Sequence, residues 1–337
     1  MDQENQPVDW FSIYKFPKQP SHPNKLIRKG LGFVYITSNN VSNWILSNVG
    51  ITDPNNLVSN TLAPIYNTSL NDLLYIFYND QPPYGKTPKK KGHTKGGLLT
   101  DNTNGFWLVH SVPHFPFFLD KYRYPGTGIR NGQSFLCLSL NITNLNTVGI
   151  QLQYNQPHIF AANASNYFQT STPELYKAAN NITVGQAPWY NIASIITLAG
   201  TNLTSFAKSR QFGKDLYSDL VAPSLEANLD VETWPNEPDR LASECDKPFK
   251  VANILNVTFT DIQVTFNTTV DHSKWAVSTQ NNEDNWICIG DINRAKPQTL
   301  RGGGTTCLHN SILSTLYQNI IVITEPCQKI NNLYHNL

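Results

Sequence analysis

Charge is the first scarcity in this chain. Only 15% of its 337 residues are charged, 25 Lys+Arg against 24 Asp+Glu, for a formal charge of +1. So even a balance excludes a histone-like or basic-tailed nucleic-acid binder at neutral pH. Long apolar runs are scarce too: Ala193–Ala199 and Ile320–Ile323 are the longest, far short of the roughly 18 residues of a membrane span. Met1–Pro7 is polar and acidic, unlike a signal peptide. No C-x-x-C spacing occurs, so no zinc site, and no metal or other cofactor, is expected. G-x-S-x-G, the G-x-x-x-x-G-K phosphate loop and the dinucleotide fingerprint are also missing, which removes serine hydrolases, phosphate-loop nucleotide hydrolases and dinucleotide enzymes from consideration. No low-complexity linker divides the chain.

What is present points to a folded, exported protein. Hydrophobic residues make up 40% and aromatics 11%, enough to bury a large core. Eight Asn-x-Ser/Thr sequons begin at Asn40, Asn67, Asn141, Asn163, Asn181, Asn202, Asn256 and Asn267. Of five cysteines, Cys245, Cys288, Cys307 and Cys327 cluster late and Cys137 stands alone, so an oxidising compartment allows two bridges and one odd thiol. Both features predict a secreted or lysosomal glycoprotein whose signal peptide lies outside this sequence. Strand-like runs are read at Asp9–Tyr14, Gly32–Thr37, Leu73–Tyr78, Gly105–Val112, Ser134–Leu140 and Asn256–Phe266. Helices are expected at Thr172–Asn180, Ser205–Leu220 and Leu308–Gln318, and loops at Gln81–Lys91 and Asn281–Asn285. The fold class expected is mixed α/β.

One tripeptide type recurs: His93-Thr94-Lys95 and His272-Ser273-Lys274. Chance placement gives about 0.4 such triplets. In an extended segment the His and Lys share a face, because side chains alternate. Two such pairs suit phosphodiester cleavage without a metal. One imidazole attacks phosphorus, the other protonates the departing oxygen, and the lysines hold the non-bridging oxygens. One neutral and one charged imidazole favour mildly acidic conditions, given an ordinary pKa of ~6.5. Protonating all eight histidines would carry the charge from +1 to about +9, coupling affinity for a polyanion to acidification. Around the first triplet, Lys86, Lys89, Lys90, Lys91 and Lys95 form a basic loop that would attract a phosphate backbone. After the second, Gly290–Arg294 and Arg301–Gly304 offer backbone amides, the Asn293 amide and the Arg294 guanidinium to an anion. His110, inside an apolar strand pattern, reads from composition as a core histidine.

With these motifs the sequence resembles the deoxyribonuclease II family. The stretches that carry the likeness run from end to end: Gln6–Phe11, Tyr78–Pro83, Gly92–Gly96, Gly105–Pro113, Phe212–Tyr217, Asp271–Trp275, Gly290–Arg294 and Arg301–Thr305. The resemblance implies a phospholipase D-like fold: two pseudo-symmetric α/β halves, 1–165 and 166–337, each with a mixed sheet and one His-x-Lys, sharing a central cleft. It implies metal-independent hydrolysis of double-stranded DNA at acid pH to 3′-phosphate and 5′-hydroxyl ends. His93, Lys95, His272 and Lys274 match the family's catalytic motifs, and His110 matches its histidine in Leu-Val-His-Ser-Val-Pro, which turns that residue's reading to function. The family pairing implies Cys245–Cys327 and Cys288–Cys307, with a partner for Cys137 upstream of Met1. One active site needs only a monomer and leaves a homodimer possible. The alternative, a weakly active or inactive secreted member that binds DNA or a host partner, would show in the loss of a triplet. Both are intact.

Overall fold

The computed structural model describes residues 1–327 except 68–69, 71–72, 89, 119–120 and 280–283. The sequon of Asn67, Lys89 and most of the Asn281–Asn285 loop lie outside the described residues. Two large sheets dominate. The first contains β1 (Trp10–Lys15), β2 (Phe33–Thr37), β3 (Asn40–Leu46), β4 (Leu74–Asn79), β5 (Lys95–Thr100), β6 (Asn104–His110), β7 (Gln133–Asn141) and β8 (Ile159–Asn163), in the order 3-2-1-7-6-5-4-8. The second contains β9 (Tyr190–Ile196), β10 (Asn202–Lys208), β11 (Leu229–Glu232), β12 (Val251–Phe259), β13 (Val264–Asn267), β14 (Trp275–Ser278), β15 (Trp286–Gly290), β16 (Gly303–His309) and β17 (Ile321–Thr324). Its order is 13-12-11-14-15-16-10-9, with β17 on β12.

The two sheets share a pattern. Five strands in the order 1-7-6-5-4 match five in the order 10-16-15-14-11, visited in the same order along the chain and antiparallel throughout, with an extra strand pair inserted after β1 in the first and after β11 in the second. A helix follows the equivalent strand in each, Ile142–Asn155 after β7 and Ser311–Gln318 after β16. The mixed α/β expectation holds. The second sheet has one parallel pair, β11 with β12, while every described pair of the first is antiparallel.

Alternation explains how the sheets pack. In β1 every residue is buried: Trp10 and Tyr14 face one core, Phe11 and Ile13 another. The first of these cores is common to both sheets, with Tyr14 edge-on to Phe259 at 5.2 Å and to Trp275 at 6.4 Å. Each sheet has a second core on its outer face. Burial on both faces accounts for strands rich in Val, Ile, Leu and aromatics.

Three sequence readings need correction. Ser205–Leu220 is not a helix: Ser205–Lys208 completes β10, and Gly213, at φ +69°, ends the short turn after it. A wide turn, Ala222 N–H to Tyr217 O, then leads into Ala222–Leu225. Asn256–Phe266 is a hairpin, turned at Gln263 with φ +60°. The 14-residue helix Ile142–Asn155 was missed, because its Asn, Thr and Gln mask the apolar stripe Leu145, Val148, Leu152 that it buries; Asn141 caps it. The bridges Cys245–Cys327 and Cys288–Cys307 are both present, the latter across β15 and β16, and Cys137 is a buried free thiol. Among the described residues no helix is long and apolar enough to cross a membrane.

Candidate active site

Equivalent strands deliver equivalent motifs. His93-Thr94-Lys95 runs into β5 and His272-Ser273-Lys274 runs into β14. In each, the outer two side chains line one cleft of about 290 Å³ between the sheets, while Thr94 and Ser273 turn into the protein and are fully buried. Asp80, Gln81, Thr87, Ser111, Pro113, Trp234, Glu237, Asn293, Gln298 and Arg301 complete the lining.

The surroundings of the two imidazoles differ. His93 Nε2 lies 3.7 Å from Asp80 Oδ2. Asp80 is an ion-pair partner of Lys95 and also of Arg301, whose Nη2 is 2.9 Å away. Burial opposes ionisation of Asp80, but Lys95, His93 and Arg301 outweigh it and hold the carboxyl far below the usual carboxylate range. Among the described residues no carboxylate pairs with His272 in this way. Asn131 Nδ2 sits 3.2 Å from its Nε2, and Trp234 meets the ring edge-on at 3.9 Å. Beneath it, Asp271 accepts from Tyr14 and from Ser273 Oγ at 2.8 Å. Lys274 donates to the carbonyl of His272 at 2.6 Å.

Burial, then the neighbouring lysines, pushes both imidazoles toward the neutral form: His93 well below its ordinary value and His272 down to about 3. His110 is lowered well below its ordinary value too, by burial and then Lys95, and His158 is also lowered by burial. The expected rise to +9 therefore draws little on these four histidines, which burial holds toward the neutral form. A bound phosphate would favour their charged forms. Buried acids respond instead. Burial raises Asp291 to about 7 and Asp230 to about 6, and lifts Glu232, neither of whose oxygens has a hydrogen-bond partner, well above its usual range. Burial likewise lowers Lys274 to about 8.

Other sequence-predicted residues are placed unevenly. Asn293 lines the cleft, its amide donating to Glu237 at 2.5 Å. Arg294 does not: the next side chain in an extended segment points the other way, and its buried guanidinium bonds Asp215, Asn253 and the carbonyl of Ala242. It is part of the scaffold, not a phosphate contact. Lys90 is exposed and Lys91 half-buried beside the cleft, where the Lys91 carbonyl accepts from Arg301 Nε at 3.0 Å. His110 is completely enclosed, packed on Phe115 and Phe135, with Nδ1 accepting the N–H of Val112 at 3.1 Å; the structure does not bring it to the cleft. Although His110 and His114 stand four apart, His114 Nδ1 lies 2.8 Å from the carbonyl of Pro82, and among the described residues no group of three potential metal ligands forms. The expected glycine cradle is also absent: Gly303 and Gly304 belong to β16, and Gly304 N–H is held by Asp291 at 3.1 Å. Asp80, Asn131, Trp234 and Glu237 were missed; only Asp80 had a signal, inside the Tyr78–Pro83 stretch.

Similarity to known proteins extends along nearly the whole chain. The model of the family described as deoxyribonuclease II matches residues 1–327. Plancitoxin-1 of Acanthaster planci is 36% identical over 331 residues, 97% of this chain and 92% of that protein. Deoxyribonuclease-2-alpha of Rattus norvegicus is 37% identical over 327 residues, 95% and 92% of the two chains. Cell death-related nuclease 6 of Caenorhabditis elegans is 34% identical over 339 residues, 97% and 89%. Among solved structures, a yeast tyrosyl-DNA phosphodiesterase overlaps 66% of this chain and 67% of its own at 12% identity and a TM-score of 0.29, too low to bear weight. Family-wide coverage, together with both triplets meeting in one cleft, makes the chain a member of the deoxyribonuclease II family and hence a hydrolytic endonuclease.

Proposed function

We propose that the chain cleaves double-stranded DNA at acid pH without a metal, through a phosphohistidine intermediate, and that 1–165 and 166–337 act as two halves of one catalytic unit. The observation that carries this is the convergence of His93, Lys95, His272 and Lys274 from two sheets on one cleft. One imidazole nitrogen attacks phosphorus and the P–O5′ bond breaks, while the other imidazole gives its proton to the leaving 5′ oxygen. The 3′ nucleotide then stays on the first imidazole. The second imidazole, now neutral, takes a proton from water, which displaces the histidine and releases a 3′-phosphate. Lys95 and Lys274 face the non-bridging oxygens, and their charges count most where water is excluded. His110 supports the cleft through Ser111, the adjoining lining residue. Lys90, Lys91 and Asn293 extend the DNA contact beyond the scissile phosphate.

Acid function fits a lysosomal or secreted glycoprotein. The exposed Asn40, Asn141, Asn181, Asn202 and Asn267 are the better glycan acceptors. Asn163, whose amide nitrogen is bonded to the carbonyls of Leu70 and Leu73, is a poor one.

Plasmid cleavage at pH 5 in EDTA tests the reading. Nicking by wild type and its loss in a His93→Ala/His272→Ala double variant is the expected result. Intact plasmid with wild type, or equal cleavage by both proteins, overturns it.

A further inference from the structure

Two buried lysines outside the cleft occupy equivalent places. Lys15 ends β1 and Lys208 ends β10, the matching strands of the two sheets, and both are essentially inaccessible to solvent. Each ammonium donates to main-chain carbonyls at the end of a short helical turn. Lys15 Nζ bonds Ile129 O and Asn131 O, both at 2.7 Å. Lys208 Nζ bonds Gln298 O and Thr299 O at 3.1 Å and Arg301 O at 2.6 Å. A cation there adds a donor to carbonyls at the end of each turn, where the run of helical hydrogen bonds stops.

The chain just after each lysine-held turn crosses to the other sheet's motif. Asn131 faces His272 Nε2, and Gly132 O accepts the His272 N–H at 2.9 Å while Gly132 N–H donates to Val270 O. On the other side Arg301 holds Asp80 beside His93, and Gly302 O accepts the His93 N–H at 2.8 Å. The approach is close enough to demand glycine. A Cβ on Gly132 would lie 2.2 Å from Asp271 Oδ1, and one on Gly302 2.2 Å from the carbonyl of Asn155. Burying an ammonium is unfavourable unless it is fully bonded. That the same arrangement stands at both equivalent positions argues for a function in each.

We propose that Lys15 and Lys208 are positioning residues, each clamping the loop that orients the imidazole belonging to the opposite sheet: Lys15 through Asn131 and Gly132 for His272, Lys208 through Arg301 and Gly302 for His93. This rests on the two histidines being the reacting groups. Neither lysine touches the substrate, so its loss lowers kcat and leaves KM nearly unchanged. Displacing a reacting group slightly reduces the rate by about 10–100-fold.

The test pairs imidazole NMR with kinetics on full-length Lys15→Met and Lys208→Met variants. Lys15→Met is expected to shift the ring resonances of His272 and leave those of His93; Lys208→Met should do the reverse. In double variants, Lys208→Met should add little to Arg301→Ala, and Lys15→Met little to Asn131→Ala, whereas the crossed combinations multiply. Multiplicative losses in all four pairs, or both imidazoles shifting together, overturn the proposal. Should a Met variant not fold, the Gln variant, which keeps an N–H donor for one carbonyl, is read in the same way; if Gln also unfolds, that lysine belongs to the fold alone and the proposal falls. Crossed ring shifts with unchanged plasmid cleavage would uphold the positioning and remove the catalytic assignment of the histidines.

Discussion

The His93 and His272 sides of the cleft begin alike and end differently. The same tripeptide type enters the same strand of the same five-strand pattern, and the same main-chain hydrogen bond arrives from the opposite sheet. Yet His93 faces a carboxylate clamped by two cations, and His272 faces an amide and an indole edge. A carboxylate favours a protonated neighbour, and an amide does not. Identical motifs thus acquire distinct proton chemistry from the loops around them, and that difference can be attacked at each level.

The largest effects belong to the imidazoles. His93→Ala and His272→Ala are each expected to lower plasmid cleavage by about 10³-fold or more, the double variant falling no further than the worse single one. With a nucleotide 3′-p-nitrophenyl phosphate, whose leaving group needs no proton, the variant lacking the proton donor should release a stoichiometric burst of p-nitrophenol and then stall, and the variant lacking the nucleophile should release none. Equal behaviour of the two would abolish the division of labour.

The lysines sharpen the contrast through stability. Lys95→Gln and Lys274→Gln should each cost roughly 10²-fold in kcat. Only Lys95→Gln strips a buried carboxylate of a partner, so by denaturant melts it should lose about 3 kcal/mol, against about 1 kcal/mol or less for Lys274→Gln. Asp80→Asn then tests the carboxylate itself. Losing the anion beside His93 should move that imidazole's titration, and the pH–rate profile with it, to lower pH, with a rate loss of about tenfold. Asn131→Ala should leave the profile in place.

The smallest effect is on stability alone. Asp291 titrates at about 7 in the folded chain, against about 4 for an ordinary carboxyl. Between those values the folded state holds a proton that the unfolded chain has released, so this group's contribution weakens as pH rises from 4 to 7. Asp291→Asn should therefore be more stable than wild type at pH 7.5, by on the order of 1–3 kcal/mol, with the gap closing toward pH 4. A gap independent of pH would show that folding does not raise the Asp291 carboxyl at all.

The triplets were legible because their chemistry lies within three residues and their geometry follows from strand alternation. Most strands were legible for similar local reasons, whereas the cysteine pairing came from the family resemblance, because Cys245 and Cys327 stand 82 positions apart. The partners that distinguish the two sides were not: Asn131 meets His272 across 141 positions, and Arg301 meets Asp80 across 221. No window of sequence contains such a pair. Arg294 misled because a guanidinium beside a glycine-rich turn looks like an anion site from composition, whereas its orientation depends on Asp215 and Asn253. The histidine count misled similarly: it gives the number of titrating groups and not the solvent they have lost.

The reciprocal hydrogen bonds, Gly132 to His272 and Gly302 to His93, have the form of an isologous interface. In a twofold dimer, what one partner lends the other is returned by symmetry. Here both partners are on one chain, released from the requirement to stay identical. Each side can therefore differ in what it lends to the other, an amide in one direction and a guanidinium in the other, while the main-chain bond stays the same in both. Neither half, expressed alone or paired with a copy of itself, would recover both kinds of neighbour, so the inequality of the two imidazoles is a property available to the fused chain and denied to a symmetric pair.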